Sequence, residues 1–357
     1  MTKKILIVNA GLGSGGISTY TINLAKGLLN RGNSVFLVIT HFYENEKLII
    51  CQELGINIIS LVERNKISKY FQYAWILRRI NPDIVINNYN FVAQFVSFLN
   101  RKRKLIHIIH NDTQDFYRIA LIAKKNTDLW ITPTTQIKSN FLKFANSEID
   151  PYKITVINHG IDEYSDFDEK KDSKVLKIIF VGVMYEHKGV ALLCDIFVKL
   201  RGLNITFQAN LIGTGPLKKK IEDRIYELNL ESHVKFWGQL DYKIARTKIN
   251  ESDILLFPTR IESFGLVIAE AMISGVVPVV SLLPGITDDI IQDGKTGFLI
   301  KEYLRPDEFV EKIALLNNDK VLRRNISESA RIWASKKFSL NVMIDEYEKA
   351  INQLRED

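Results

Sequence analysis

Two glutamates, Glu262 and Glu270, belong to a short motif with the chemistry to hold a phosphorylated ligand. The apolar run 253–257 ends in the loop that carries Glu262, and a helix is predicted to begin near Gly265, with Glu270 about one and a half turns in. The free amides and positive dipole at the start of that helix would attract a phosphate. Glu270 lies in an apolar stretch and needs hydrogen-bond partners, which ligand hydroxyls would supply. Alternatively, both glutamates are ordinary surface charges.

A glycine-rich run near the N-terminus is a second candidate for a ligand loop. Residues 11–16, G-L-G-S-G-G, follow the first predicted strand and fit the dinucleotide fingerprint G-x-G-x-x-G. That fingerprint also needs an acidic residue after the second strand, and residues 38–41, V-I-T-H, contain none. We therefore disfavour a nicotinamide dehydrogenase. We expect a loop, including Gly15 and Gly16, whose backbone an anionic ligand can approach, and a simple tight turn is the alternative.

These motifs lie in an alternation of short β-branched runs and helix-length amphipathic stretches, which predicts parallel α/β sheets. The alternation occurs twice, on either side of a polar linker at 161–175. We predict the α/β fold class, with two doubly wound Rossmann-like domains, 1–163 and 164–339, that face each other across a cleft. A last helix within 340–357 should pack back on the first domain. The candidate strands are 4–9, 34–39, 56–61, 83–87, 105–109, 128–132, 154–158, 176–182, 205–212, 233–236, 253–257, 277–280 and 297–300, and the candidate helices after residue 305 are 306–317, 320–336 and 340–354.

Composition excludes several protein classes. With 357 residues, 46% hydrophobic and 25% charged, the chain has the composition of a soluble globular protein with two cores. The first apolar run, 5–8, is too short for a secretory signal, and the most apolar window, 265–283, reads as a helix followed by a strand. We expect a cytoplasmic protein. Cys51 and Cys194 match no metal-ligand spacing and are expected in the cores.

Several further segments form a pattern in a fixed order. Lys188-Gly189 follows the strand 176–182, G-T-G-P-L occupies 213–217, and D-G-K-T-G-F-L occupies 293–299. Together with E-S-F-G-L-V-I-A-E at 262–270, the segment 156–162 and the N-terminal glycine pair, these segments resemble the family 4 retaining glycosyltransferases of the GT-B fold. The matches are strongest over 178–300 and thin over 40–100, where acceptor specificity would be encoded.

The resemblance implies roles for individual residues. Lys188 and the amides near Gly265 would hold the leaving diphosphate of a nucleotide sugar. Glu270 would hold the ribose of the nucleotide, and Glu262 would bond the transferred sugar. The remaining implied donor-binding residues are Gly182, Gly213, Ser263, Phe264 and Leu266, and Gly15 and Gly16 would form an acceptor or phosphate loop.

A histidine of the first half is a further candidate. His110 follows the strand 105–109 and resembles the histidine with which the family's N-terminal domain approaches the transferred sugar. A core or capping histidine is the alternative. His107, three residues earlier, is predicted to be structural.

Some positions depart from the family pattern. Val183 stands where the family usually has an arginine, His159 stands for an asparagine, and Ser263 stands for a glycine. A missing arginine removes a bidentate phosphate ligand, so the positive charge must come from elsewhere. Arg260 and His187 are the candidates.

The expected activity is therefore the transfer of a hexose or N-acetylhexosamine from a nucleotide sugar, most simply a UDP-sugar, to a hydroxyl of a glycan or polyprenyl-linked acceptor in cell-surface polysaccharide synthesis. The alternatives are a GT-B epimerase or phosphorylase, and a non-catalytic nucleotide-binding protein. Asp166 and Asp168 fit the D-x-D pattern of metal-dependent transferases, but they lie in an acidic linker and read as a solvated loop. We expect neither a metal nor another cofactor.

Charge is distributed unevenly along the chain. Residues 1–160 contain 20 basic and 10 acidic side chains, a net charge of +10, and the remainder contains 28 and 31, a net charge of −3. Bases alternate with aromatics over 64–79, and Arg101–Lys104 is a second basic cluster. The segment lacks a recognised nucleic-acid-binding module, so we expect peripheral contact with an anionic membrane at the inner face of the plasma membrane. The alternative is a solvated basic face with its aromatics turned into the core.

Overall fold

The computed structural model describes residues 2–13, 15–62, 65–98, 103–162 and 174–354, apart from the side chains of Lys66, Phe95, Ser97 and Phe98. The chain forms two compact units. The first contains residues up to 162 together with those from 338 onward, and the second contains residues 163–337.

The first unit is built on a parallel sheet of seven strands in the order β3-β2-β1-β4-β5-β6-β7. Its strands are β1 (Lys4–Leu12), β2 (Ser34–Tyr43), β3 (Asn57–Ser60), β4 (Ile84–Asn88), β5 (Lys104–Ile108), β6 (Leu129–Thr132) and β7 (Ile154–Val156). Its helices are α1 (Gly16–Asn30), α2 (Asn45–Glu53), α3 (Lys66–Ile80), α4 (Phe91–Phe98), α5 (Gln114–Ile122) and α6 (Thr135–Ala145), with a 3₁₀ turn at Pro151–Lys153.

The second unit is built on a parallel sheet of six strands in the order β10-β9-β8-β11-β12-β13. Its strands are β8 (Leu176–Val181), β9 (Phe207–Ile212), β10 (Val234–Gly238), β11 (Ile254–Phe257), β12 (Val277–Ser281) and β13 (Phe298–Ile300). The helices are α7 (Val190–Gly202), α8 (Lys218–Glu227), α9 (Tyr242–Asn250), α10 (Leu266–Ile273), α11 (Thr287–Ile290), α12 (Asp307–Asn318) and α13 (Lys320–Phe338), and a 3₁₀ turn spans Glu186–Lys188. The last helix of the chain, α14 (Leu340–Gln353), belongs to the first unit.

The prediction of two α/β units with parallel sheets is confirmed, and every strand in the described part of the chain falls on a predicted one. Alternation along β1 shows why the first sheet is covered on both sides. Ile5 and Ile7 pack into the core beneath α1 and α14, whereas Leu6 and Val8 pack into the core that includes α3. The apolar window 265–283 is α10 followed by β12, as expected.

The predicted ends of β1 and β2 were wrong. Strand β1 continues to Leu12 and β2 to Tyr43, three and four residues beyond their predicted ends, because Gly11 and Leu12 pair with Phe42 and Tyr43 after a register shift between Asn9 and Gly11. The glycine-rich loop therefore begins only at Gly13.

Two further observations concern the cysteines and the helices. Cys51 and Cys194 are both buried free thiols, as predicted. No helix of the described ranges has the length and apolarity that crossing a bilayer requires.

Helix α14 completes the core of the first unit. Met343, Ile344 and Tyr347 are buried in the same cluster as Leu24 and Leu28 of α1. The two helices approach closely at Gly27, where an added Cβ would overlap the side chain of Ile344. A glycine that weakens an isolated helix is thus explained by packing between helices.

We predict that Gly27→Ala destabilises the protein by about 1–3 kcal/mol, despite the better helix propensity of alanine, because the new methyl group overpacks the contact with Ile344. Urea unfolding would measure the effect. Gly202→Ala is the control, since Gly202 also lies in the last turn of a helix but an added Cβ there meets nothing within 4 Å. Ile344→Ala in the Gly27→Ala background should cost less than it does alone, and a Gly27→Ala variant as stable as Gly202→Ala would contradict the packing explanation.

Candidate active site

A loop after the central strand β8 carries Lys188 to the end of β11. The loop ends at Gly189, which has a φ of 67°. Its backbone lies so close to the residues that follow β11 that an added Cβ would overlap the carbonyl oxygen of Pro258. The carbonyl of His187 accepts hydrogen bonds from the Arg260 amide at 2.7 Å and from the Thr259 hydroxyl at 3.2 Å. Backbone contacts therefore fix the loop against residues 258–260.

The ammonium group of Lys188 forms an ion pair with the carboxylate of Glu262. The two side chains are 14% and 13% exposed, and the Lys188 Nζ also lies 3.5 Å from the Ile261 carbonyl oxygen and 5.5 Å from the centre of the Phe257 ring. A charge pair this shielded from water interacts more strongly than an exposed one. Sequence reasoning named both residues as donor ligands, and the structure adds that they are partners of one another.

Helix α10 begins beside this pair. Its N-cap is Gly265, in the left-handed conformation, and Phe264 before it is buried. Leu266 and Val267 are partly exposed, and the first amides of a helix have no acceptor inside it. A helix start of this kind presents several N–H groups and a positive dipole to an anion.

Glu270, on α10, is 8% exposed, and the surface-charge alternative is therefore wrong for it. Burial raises the pKa of its carboxyl above the ordinary value, while the nearby Arg246 and Tyr242 act in the opposite direction. Arg246 is itself buried and donates from Nη1 to the Glu270 carbonyl oxygen at 2.9 Å. Its Nη2 is also buried and has no hydrogen-bond partner among the described residues.

Sequence reasoning missed Arg246 and Tyr242. Both lie on α9, more than twenty residues before Glu270, and nothing in their local sequence distinguishes them from the other polar residues of an amphipathic helix. Only the packing of α9 against α10 brings them to the glutamate.

The two glycines predicted to bind the donor meet through their backbones. Gly213, after β9, has a φ of 130°, and a Cβ there would overlap the carbonyl oxygen of Gly182. Met184 continues this contact by donating from its amide to Thr214 at 2.9 Å. The structure thus gives both glycines a role in joining the loops after β8 and β9, and their role toward a donor stays a prediction.

Of the two residues predicted to replace the missing phosphate-binding arginine, the structure favours Arg260. Val183 is exposed and offers no charge. The pKa of His187 is lowered by burial and by the neighbouring Lys188, which favours the neutral ring. Arg260 is exposed, and its ion pair among the described residues is a long one, 3.9 Å to Glu186, so it is the stronger of the two predicted candidates.

In the first unit, His110 follows β5 and is 1% exposed. Its Nε2 lies 3.3 Å from Asn88 Oδ1, and its ring packs edge-on against Tyr20 and tilted against His159. Burial lowers the pKa of His110 to about 3, so the ring is neutral at physiological pH and cannot act there as a cationic acid. Its Nδ1 is buried with no partner within the described ranges.

His107 and the glycine pair are placed as follows. His107 is buried and hydrogen-bonds Gln94 at 3.0 Å and Asn87 at 3.3 Å, which fits the predicted structural role. Helix α1 begins at Gly16, and its N-cap is Gly15. The φ of Gly15 is 150°, which favours glycine, although an added Cβ would meet no described atom within 4 Å. Gly15 and Gly16 therefore start a helix at the carboxyl end of β1, and ligand contact there stays a prediction.

No three His, Cys, Asp or Glu side chains of the described residues come together as a metal site would require. Asp166 and Asp168 lie outside the described residues.

Because the carboxyl of Glu270 is buried, we predict that replacing it stabilises the folded protein at neutral pH but weakens ligand binding. Because its pKa is raised in the folded protein, the folded state holds the proton more tightly than the unfolded state, and stability is lost as pH rises from the ordinary value of 4.5 through the raised pKa. Glu270→Gln cannot ionise, so its unfolding free energy relative to wild type should increase between pH 4 and pH 7. Its affinity for a nucleoside diphosphate should fall by about 1–3 kcal/mol, measured by calorimetry.

The controls for this prediction use a neighbour and a surface residue. Arg246→Met leaves the Glu270 carboxylate without its cation and should cost about 3 kcal/mol, much of which the double variant Arg246→Met/Glu270→Gln should recover. Glu227→Gln, at an exposed position on α8, should change neither quantity. A wild-type affinity in Glu270→Gln would remove Glu270 from the ligand site.

Comparisons with known proteins agree on a family. The model of the family described as Glycosyltransferase Family 4 matches residues 14–164, and that of Glycosyl transferases group 1 matches residues 162–333. An uncharacterized glycosyltransferase of Methanocaldococcus jannaschii is 35% identical over 161 residues, which cover 45% of this chain and 43% of that relative. The chain thus matches less than half of that relative's length. A second glycosyltransferase of the same organism is 26% identical over 318 residues, covering 80% of this chain and 79% of the relative.

A solved structure agrees on the fold. Crystalline HepE of Anabaena, in complex with UDP and glucose, superposes with a TM-score of 0.82 at 19% identity and covers 98% of this chain and 100% of that one. Because the two family models together match residues 14–333 and the parallel-sheet units agree with this fold, the chain belongs to the family 4, group 1 glycosyltransferases of the GT-B fold.

Proposed function

We propose that the protein is a retaining glycosyltransferase that moves a hexose or N-acetylhexosamine from a nucleotide sugar to a hydroxyl of a glycan or lipid-linked acceptor. The observation that carries the proposal is the convergence of Lys188, Glu262 and the start of α10 at the carboxyl end of one parallel sheet. Ligands bind at such edges in open α/β sheets. Lys188 and the first amides of α10 match the diphosphate of a nucleotide sugar, Glu262 matches its sugar, and Glu270 matches its ribose.

The charge distribution suits the departure of a diphosphate. As the bond between the sugar C1 and the phosphate oxygen breaks, negative charge grows on the diphosphate and positive charge on the sugar ring. Lys188 and the amides of Leu266 and Val267 would stabilise the diphosphate. The Lys188 ammonium would then be shared between the phosphate and Glu262. Glu262 would hold the sugar by its hydroxyls, and Glu270 the ribose.

Retention requires the acceptor to approach from the face that the diphosphate leaves. We favour a front-face reaction in which the acceptor oxygen bonds to C1, and its proton passes to the departing phosphate oxygen. The sequence identifies no covalent nucleophile, and His110 is neutral, so it would contribute a hydrogen bond to the transferred sugar rather than a proton.

We also propose a donor and a biological setting for the reaction. The bound UDP of HepE supports a UDP-sugar, although that protein is only 19% identical. A role in cell-surface polysaccharide synthesis, a cytoplasmic location and contact with an anionic membrane at the inner face of the plasma membrane complete the proposal. The role in polysaccharide synthesis rests on the family resemblance alone.

Two experiments distinguish this function from its alternatives. Thermal shifts with a panel of nucleotide sugars would name the base and narrow the sugar. Release of free nucleotide that depends on an added acceptor indicates a transferase, whereas conversion of the sugar nucleotide without an acceptor indicates an epimerase. Binding with no turnover on any acceptor would favour a nucleotide-binding protein.

Lys188 should carry most of the stabilisation of the leaving group. We expect Lys188→Met to lower kcat/KM by about 10²–10³-fold, as for the loss of one group that stabilises a transition-state charge. Lys199→Met, which removes an exposed lysine paired with Asp307, is the matched control and should stay within about twofold. Activity of Lys188→Met near the wild-type level, in protein that still melts cooperatively, would assign the leaving group to another residue.

Turnover should survive removal of divalent metals. The described residues supply a lysine and a helix start for the charge of the diphosphate, which leaves no requirement for a cation there. We expect the rate with excess EDTA to equal the rate without it. A loss of activity that Mg²⁺ or Mn²⁺ restores would return attention to Asp166 and Asp168.

A further inference from the structure

The outer face of α3 carries an exposed apolar stripe. Ile67, Phe71 and Trp75 are 71%, 74% and 56% exposed, and their spacing of four residues places them on one side of the helix. Arg79 continues the stripe, with its guanidinium carbon 5.0 Å from the centre of the Trp75 ring. Large exposed apolar side chains in a contiguous row mark an interaction surface more often than isolated ones do.

The stripe is not needed for the core of the first unit. The opposite side of α3 already supplies buried Tyr73, Ile76 and Leu77 to that core. The sequence left open whether the aromatics of 64–79 turn inward. The structure divides them, because Tyr73 is buried and Phe71 and Trp75 are exposed. The inward alternative therefore explains only part of the pattern.

The exposed charge on α3 has one sign. Arg78 and Arg79 are exposed near its C-terminal end, Lys69 is buried, and the helix contains no acidic residue. Arg103, at the start of β5, donates from Nη2 to the Leu77 carbonyl at 2.8 Å, which adds a base to the C-terminal end of the helix. Arg101 and Lys102 lie outside the described residues.

We propose that this face of α3 docks on an anionic lipid bilayer, with the helix parallel to the surface. Ile67, Phe71 and Trp75 would enter the boundary between headgroups and acyl chains, where aromatic rings are favoured. Arg78 and Arg79 would pair with lipid phosphates. A second copy of the chain fits less well, since two such faces would bring bases against bases.

The direction of α3 relates the docking face to the carboxyl edge of the first sheet, where the proposed acceptor would bind. Because α3 follows β3 in a parallel crossover, its N-terminal end lies toward the carboxyl edge of the first sheet, where Gly15 and His110 also lie. An acceptor on a lipid carrier would then reach that edge from the membrane. The inference rests on the membrane contact of the proposed function and assigns that contact to α3, and vesicle binding can be tested without any donor or acceptor.

Co-sedimentation of the full chain with vesicles tests the docking face. We expect binding to phosphatidylcholine vesicles that contain phosphatidylglycerol, release in high salt, and little binding to phosphatidylcholine alone. Phe71→Ser/Trp75→Ser should lower the vesicle affinity at least about tenfold. Arg78→Ser/Arg79→Ser should lower it by about fivefold for each charge. Tyr152→Ser/Tyr226→Ser, which removes two exposed aromatics elsewhere, is the matched control and should bind as wild type does.

Trp75 also reports its own position. Its fluorescence should shift to shorter wavelength on anionic vesicles and be quenched by brominated acyl chains, and Trp75→Phe should lose that signal while keeping most of the binding. Unchanged Trp75 emission on vesicles that do bind the protein would overturn the assignment to α3.

The remaining outcomes are equally decisive. Equal binding to neutral and anionic vesicles, or to neither, would overturn the proposal, as would wild-type binding by Phe71→Ser/Trp75→Ser. A dimer in sedimentation velocity that this variant abolishes, without vesicle binding, would assign the face to a second copy. Donor-induced thermal shifts should be the same in the variant and in wild type, so a failure of docking is distinguishable from a failure of the proposed function.

Discussion

The central position of β8 in the second sheet is the constraint on which the candidate site depends. Its neighbours are β9 and β11, and the loops that follow these strands touch the loop after β8 through their backbones. The contacts are so close at Gly189 and Gly213 that a side chain would overlap a neighbouring carbonyl oxygen. Lys188 and Glu262, 74 residues apart in the chain, form an ion pair because two loops are held this closely.

The shielded charges of the site have counter-charges. Lys188 pairs with Glu262, and the charge of Arg246 acts on Glu270, which limits the cost of removing these groups from water. The pairing leaves the site near electrical neutrality. In the proposed function, a diphosphate would therefore be attracted by the Lys188 ammonium, which it would share with Glu262, by the first amides of α10 and by the exposed Arg260. Glu270 keeps a raised pKa, a cost in stability that a ligand hydroxyl can offset by hydrogen bonding.

Local pattern predicts the elements well and their contacts poorly. The alternation of apolar runs located the strands because a buried parallel strand must be apolar on both faces. It missed the continuation of β1 through Gly11, since glycine reads as a turn unless the partner Phe42 is known. Arg246 could not be predicted, because only the packing of α9 on α10 brings it to Glu270. Likewise, the composition of α3 did not show which of its aromatics face outward.

The central claim is that Lys188 binds the diphosphate of the donor and Glu270 its ribose. Calorimetric titration of wild type and Lys188→Met with UDP, UMP and uridine tests it most directly. The structure predicts that the variant loses most affinity for UDP, less for UMP and almost none for uridine, because only the phosphates reach the ammonium. Equal losses for the three ligands, or wild-type affinity for UDP, would contradict it.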